Sequence, residues 1–251
     1  MTPAQLQKYM LATYFWLRIG LGALALAFPP LIVAIGRAND IPLQISLSEY
    51  YFAFAPTTSD LRVFPGRVVF VGILFALGSF LLLYRGFSKT EGWLLNLAGL
   101  SAIVVALFPM HTPAYCLNCG SNTYAYVHGI AAFALFVFTA LDAWACTDQT
   151  LAELPPARRR WFRWCYSVLA GIMVILPILA LVMAFFGIND ERLLFIEWAG
   201  VWTFAAYWFL KTYELSLSGA EKLALTGQQL ASPPAVTGGF SLRRRIGTIL
   251  D

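Results

Sequence analysis

Two pairs of ionisable residues recur at one spacing. His128 is followed by Asp142 after fourteen residues, and Glu197 by Lys211 at the same interval. On a helix, fourteen steps return to within about 40° of the starting face and advance about 21 Å. Each pair therefore shares a stripe, with Thr139 on the first. If the two helices lie side by side, His128 stands level with Glu197 and Asp142 with Lys211. The first pair has proton chemistry in reach, because a carboxylate holds an imidazole in one tautomer and favours its charged form. The second lies near span ends, where a lysine can snorkel to water, and reads as structural. Arg67 adds a positive charge close to the outer pair, so His128, Glu197 and Arg67 are the candidate catalytic groups. Further in are Arg18, Glu91 and Asn96, with Arg18 reaching for lipid phosphate.

A second chemistry is written around Cys116-Leu-Asn-Cys119. On an oxidising face the ordinary outcome of a CxxC is a disulfide. An exchanging thiol pair is the alternative, but a thiol–quinone relay calls for more outer cysteines than one pair. Adding the chain's two histidines gives His111, Cys116, Cys119 and His128, four potential metal ligands whose spacing matches no zinc module. Cys146 and Cys165 fall on the inner side, where thiols stay reduced. There is no Gly-rich phosphate loop, GxSxG elbow or HExxH, and no cofactor is implied.

The elements that carry these residues are six apolar runs, Leu11–Ile35, Arg67–Tyr84, Trp93–Pro109, Ala125–Ala145, Tyr166–Gly187 and Leu193–Lys211. Each has about 18 residues or more, enough to cross about 30 Å of hydrocarbon as a helix. No water satisfies backbone groups there, so the runs must be helical. The fold class is all-α, a polytopic bundle of six transmembrane helices. Apolar residues make up 59% of the chain and charged residues 12%, against about 45–50% and 25% in soluble domains.

The net charge of +4 does not indicate nucleic acid, because the arginines flank spans and sit in short loops. With the N-terminus inside, twelve Lys and Arg fall in inner segments and four in outer ones. That bias predicts N-in/C-in topology in a bacterial plasma membrane. The first run reads as a retained span kinked at Pro29–Pro30 rather than a cleaved signal. Residues 1–211 form the bundle and 212–251 a flexible cytoplasmic tail, whose basic cluster is drawn to anionic lipid. The long outer loop 36–66 is expected to pack on the bundle as a lid. Gly66, Gly72 and Gly78 are close-packing positions in the second span.

The stretch from Arg67 to Phe87, then Glu91 to Pro109, resembles a group of uncharacterised bacterial multi-pass proteins of unknown function. The shared features are Phe-Val-Gly…Tyr-x-Gly, Asn-Leu-Ala-Gly…Ala-Leu-Phe-Pro, and a last span with a Glu and an aromatic-rich end closing in Lys. The likeness spans some 60–70 residues. It departs at Ala205-Ala206-Tyr207, where the group has Gly-Ser, and in the CxxC loop. It implies the six-span layout, singles out Asn96, Glu197 and Lys211, and implies no substrate.

Two function classes follow. One is a protein that handles a lipid or small amphiphile in an outward-facing cavity lined by Arg67, His128 and Glu197. The other is a non-catalytic subunit packed against partner membrane subunits, its polar pairs fixing helix register; an extracytoplasmic thiol-redox protein is the weaker third. Membrane lipids are the expected partners in any case.

Overall fold

The computed structural model describes residues 1–55, 63–110, 123–188 and 190–228. It contains α1 (Pro3–Ala38), a 3-10 turn (Ser48–Tyr51), α2 (Pro65–Leu83), α3 (Lys89–Leu107), α4 (Thr123–Ala145), the short α5 (Asp148–Leu151), α6 (Pro156–Phe185), α7 (Arg192–Ser218) and α8 (Ala220–Leu225). No strand occurs among the described residues. Six helices are long and apolar enough to cross a membrane. The protein is an all-α, multi-pass membrane bundle.

Local signals set the helix ends. Thr2 and Gln5 form a capping box ahead of Pro3, which needs no N–H partner at the first helical position. Ser88 caps α3, its hydroxyl accepting the Glu91 N–H at 3.1 Å. Gly219, at φ +65, closes α7 and turns the chain into α8.

α1 continues through Pro29 and Pro30. Pro30 has no N–H to give the Leu26 carbonyl four residues back, and the Trp202 indole N–H supplies the missing bond at 3.0 Å. In hydrocarbon, where no water repairs such a gap, this donor from α7 permits the proline pair.

The helices form a ring in chain order. α1 packs on α2, α2 on α3, α3 on α4, α4 on α6, α6 on α7, and α7 returns to α1. The fourth and sixth spans, α4 and α7, are thus separated around the rim by α6 and meet across the centre. There the Gly200 backbone makes room for Phe136 and the Tyr207 hydroxyl bonds Asp142. Leu21, Ala25, Leu95, Ala98, Tyr207 and Trp208 lie fully buried in the core.

The boundary expected after residue 211 falls later. α7 continues to Ser218, and α8 docks on α1. Two acids of this stretch, Glu214 and Glu221, are bonded by Tyr166 and Arg18 of the bundle. The remainder of the tail, 229–251, lies outside the described residues.

The glycines of α2 behave differently from one another. A Cβ on Gly78 would meet the Gly99 carbonyl oxygen at 2.7 Å, and one on Gly99 the Gly78 carbonyl at the same distance. A Cβ on Gly66 would meet the Tyr50 carbonyl oxygen at 2.6 Å, whereas one on Gly72 would meet nothing within 4 Å. Gly72 is therefore no packing position. Gly78→Ala is expected to push α2 from α3 and cost about 1–3 kcal/mol, as overpacking does, with Gly72→Ala near neutral. Thermal unfolding of the two variants in detergent checks this; equal midpoints would refute the close crossing.

Candidate functional site

The end of the ring that carries the 36–66 loop, outer in the expected topology, holds a cavity of about 230 Å³. Its walls are Phe28 from α1, Phe70 and Leu74 from α2, Val105 from α3, Ala132 and Phe136 from α4, Pro177 and Ala180 from α6, and Ile196 and Val201 from α7. Three polar residues line it, Ser48, His128 and Glu197. The cavity is larger than the roughly 150 Å³ hole that admits benzene in an engineered core, and smaller than the roughly 300–1,000 Å³ of drug-sized sites.

The polar residues are organised by the outer loop, which folds over the bundle. Tyr50 anchors it, with its ring against Gly36 and its carbonyl against Gly66. Just before it, the Leu47–Ser48 turn enters between α4 and α7. The Leu47 N–H donates to Glu197 Oε2 at 2.7 Å, and the Ser48 N–H also reaches that carboxylate. The Ser48 hydroxyl lies 3.0 Å from His128 Nε2, and His128 Nδ1 lies 2.8 Å from the Phe108 carbonyl. A carbonyl only accepts, so Nδ1 carries hydrogen and donates, leaving Nε2 to accept from Ser48. Phe70 stacks on the imidazole with ring centroids 6.4 Å apart. The acid that follows, Glu49, takes the Ile45 N–H at 3.2 Å; burial pushes its carboxyl up and that bond draws it partly back.

His128 and Glu197 both line the cavity, but they are not bonded to each other as the level pairing would have them; they meet through the loop. Each holds the Leu47–Ser48 turn from its own side. Ser48 is the partner that helix periodicity had no means of revealing, since it sits 80 residues from His128.

A serine hydroxyl on an oriented imidazole is the geometry of nucleophile activation. Acyl transfer also needs free N–H donors for the oxyanion. Here the Leu47 and Ser48 N–H groups are held by Glu197, and the Glu49 N–H by the Ser46 hydroxyl at 3.1 Å. The arrangement suits binding better than acyl chemistry.

Arg67 does not line the cavity. Its guanidinium lies 4.0 Å over the Phe64 ring and 4.5 Å over Tyr51, and its Nε donates to the Tyr51 carbonyl at 3.0 Å. Aromatic faces attract a poorly hydrated cation, so the loop takes the charge that was expected in the cavity. Both His128 nitrogens are also occupied, which leaves none for the four-ligand metal arrangement. His111, Cys116 and Cys119, with the disulfide expected of the cysteine pair, lie outside the described residues. Cys146 is buried and Cys165 half-buried, both free thiols.

The inner half holds a second polar cluster. Lys211 does not take Asp142 as its bonded partner: its ammonium donates to Glu91 Oε1 at 2.8 Å, with both side chains fully buried. The other Glu91 oxygen accepts the Phe87 N–H at 2.7 Å, closing the start of α3. Gly86 leaves room for that fold-back, since a Cβ there would strike the Glu91 side chain at 2.5 Å. Asp142 accepts from the Tyr207 hydroxyl beside the Cys146 thiol. Glu214 lies 3.2 Å from the Thr150 hydroxyl and 3.3 Å from that of Tyr166.

Arg18 does not reach lipid. It is 1% exposed and forks onto Glu221 of α8, with Nη2 to Oε2 at 3.0 Å. Arg159 donates to the Leu151, Ala152 and Leu154 carbonyls and pins the loop before α6.

No protein-family model, curated protein or solved structure matches this chain.

Proposed function

We propose that this protein resides in a bacterial plasma membrane and binds the end of a small, single-chain amphiphile in its outer cavity. The basic bias of the inner segments and the resemblance to bacterial multi-pass proteins support that setting. The observation that carries the binding reading is the cavity itself, apolar on every wall with Ser48, His128 and Glu197 as its polar groups. An alkyl chain gains about 0.8 kcal/mol per buried CH₂ in leaving water, but it gains little in leaving lipid. The polar groups must therefore supply the selectivity. The Ser48 hydroxyl, oriented by His128, and the Glu197 carboxylate keep acceptor capacity, so they favour a hydroxyl or amine head and disfavour a carboxylate, which Glu197 would repel.

Ala132 lines the cavity, so Ala132→Phe is expected to fill it without removing a polar group. Full-length protein in lipid nanodiscs, irradiated with a photoreactive medium-chain alcohol, should be labelled on α4 or α7. Ala132→Phe should abolish that labelling, and the fatty acid of equal length should label more weakly. Equal labelling of both proteins would refute the binding site.

A further inference from the structure

The inner cluster does not balance its charges. It contains two cations, Arg18 and Lys211, and four carboxyls, Glu91, Asp142, Glu214 and Glu221. Glu221 is committed to Arg18 and Glu91 to Lys211. Asp142 and Glu214 remain, both fully buried, and among the described residues no cation is bonded to either. Each keeps one buried oxygen, Asp142 Oδ1 and Glu214 Oε1, without a hydrogen-bond partner. An uncompensated carboxylate in a low-dielectric interior is among the most expensive groups a fold can hold, and taking up a proton removes the cost.

The hydroxyl geometry points the same way. The Thr150 hydroxyl lies 3.2 Å from the Thr147 carbonyl and 3.2 Å from Glu214 Oε2. It has one proton and cannot donate to both. With a proton on Glu214, the carboxyl donates to Thr150 and Thr150 donates to the carbonyl, so both bonds form. The groups around the two acids complete the site: Cys146 just after α4, Tyr207 of α7 and Glu91 of α3 at Asp142, Thr150 of α5, Tyr166 of α6 and Ser218 of α7 at Glu214, and Lys211 of α7 near both. Lys211 is close enough to act on both acids, but its bonded partner is Glu91.

We propose that Asp142 and Glu214 are a buried two-proton site, each holding an exchangeable proton at neutral pH. α4 carries Asp142 below His128, and α7 carries Glu214 below Glu197. A shift of these helices around the outer cavity therefore alters the surroundings of both acids. Proton uptake and release at the inner site is the chemistry such a shift would drive.

Infrared difference spectra of the purified full-length protein test this, since a protonated carboxyl absorbs above the carboxylate bands and shifts in D₂O. Wild type at neutral pH should show that band. Asp142→Asn and Glu214→Gln should each remove a share and the double variant both shares, with thermal midpoints close to wild type because amides copy neutral acids. The spectrum should be unchanged when choline replaces sodium. A wild type without the band overturns the site, as does a folded double variant that keeps all of it. Loss in only one variant overturns the two-proton count, and a band that disappears on adding sodium reassigns the site to a metal cation.

Discussion

Lys211→Met is expected to cost about 3–5 kcal/mol of stability, the usual penalty for stranding one member of a buried ion pair. Lys211 and Glu91 are 2.8 Å apart and each is fully buried, so Met would leave the Glu91 carboxylate facing Tyr84, Asp142 and an apolar wall. Glu91→Gln strands the ammonium instead, although Asp142 stands close enough to compensate it by ionising. That variant should lose less. The double variant Lys211→Met with Glu91→Gln should recover most of the loss, because the remaining amide still accepts the Phe87 N–H and no charge is left unpaired. Unfolding of the three variants in one detergent closes a double-mutant cycle. A coupling near zero, below the roughly 0.5–3 kcal/mol of contacting residues, would show that the pair contributes no interaction of its own.

This pair also shows where sequence reasoning reaches its limit. The six spans were legible because a crossing demands about 18 apolar residues whatever surrounds them. The packing of the long loop on the bundle, expected of a loop of that length, is present at Tyr50. Pairing was another matter. The fourteen-residue spacings put His128 and Asp142 on one stripe and Glu197 and Lys211 on another, since helix periodicity decides which face a residue takes, but the bonded partners are Ser48, Tyr207, Leu47 and Glu91. Periodicity is silent about residues on other elements. Glu91 sits in Ser88-Lys-Thr-Glu91, a capping signature whose local meaning gives no sign of the distant lysine it also binds. Arg18 read as lipid-seeking because Glu221, 203 residues away, looked like part of a solvated tail. Ser48 in a loop and Tyr207 in an aromatic-rich helix are composed like hundreds of unremarkable residues; only the folded ring gives each its partner.

At the outer face, Glu197→Leu is expected to release the Leu47–Ser48 turn and cost about 3 kcal/mol, since each buried N–H left unpaired costs about 1–3 kcal/mol. The carboxylate now accepts the Leu47 N–H at 2.7 Å and the Ser48 N–H, while leucine accepts neither. Glu197→Gln keeps one accepting oxygen but turns its NH₂ toward donors, so its loss should be smaller and still measurable. Ser48→Ala removes the bond to His128 from the opposite side of the turn. Because both substitutions release the same Leu47–Ser48 turn, their effects should couple rather than add. Amide hydrogen exchange reads the clamp directly, and without depending on a ligand. In Glu197→Leu the Leu47 and Ser48 amides should exchange far faster, while α3 amides at the inner cluster keep their protection. Unchanged exchange at Leu47 in a folded variant would mean the turn is held by its own packing on Tyr50, and that Glu197 is free to face the cavity.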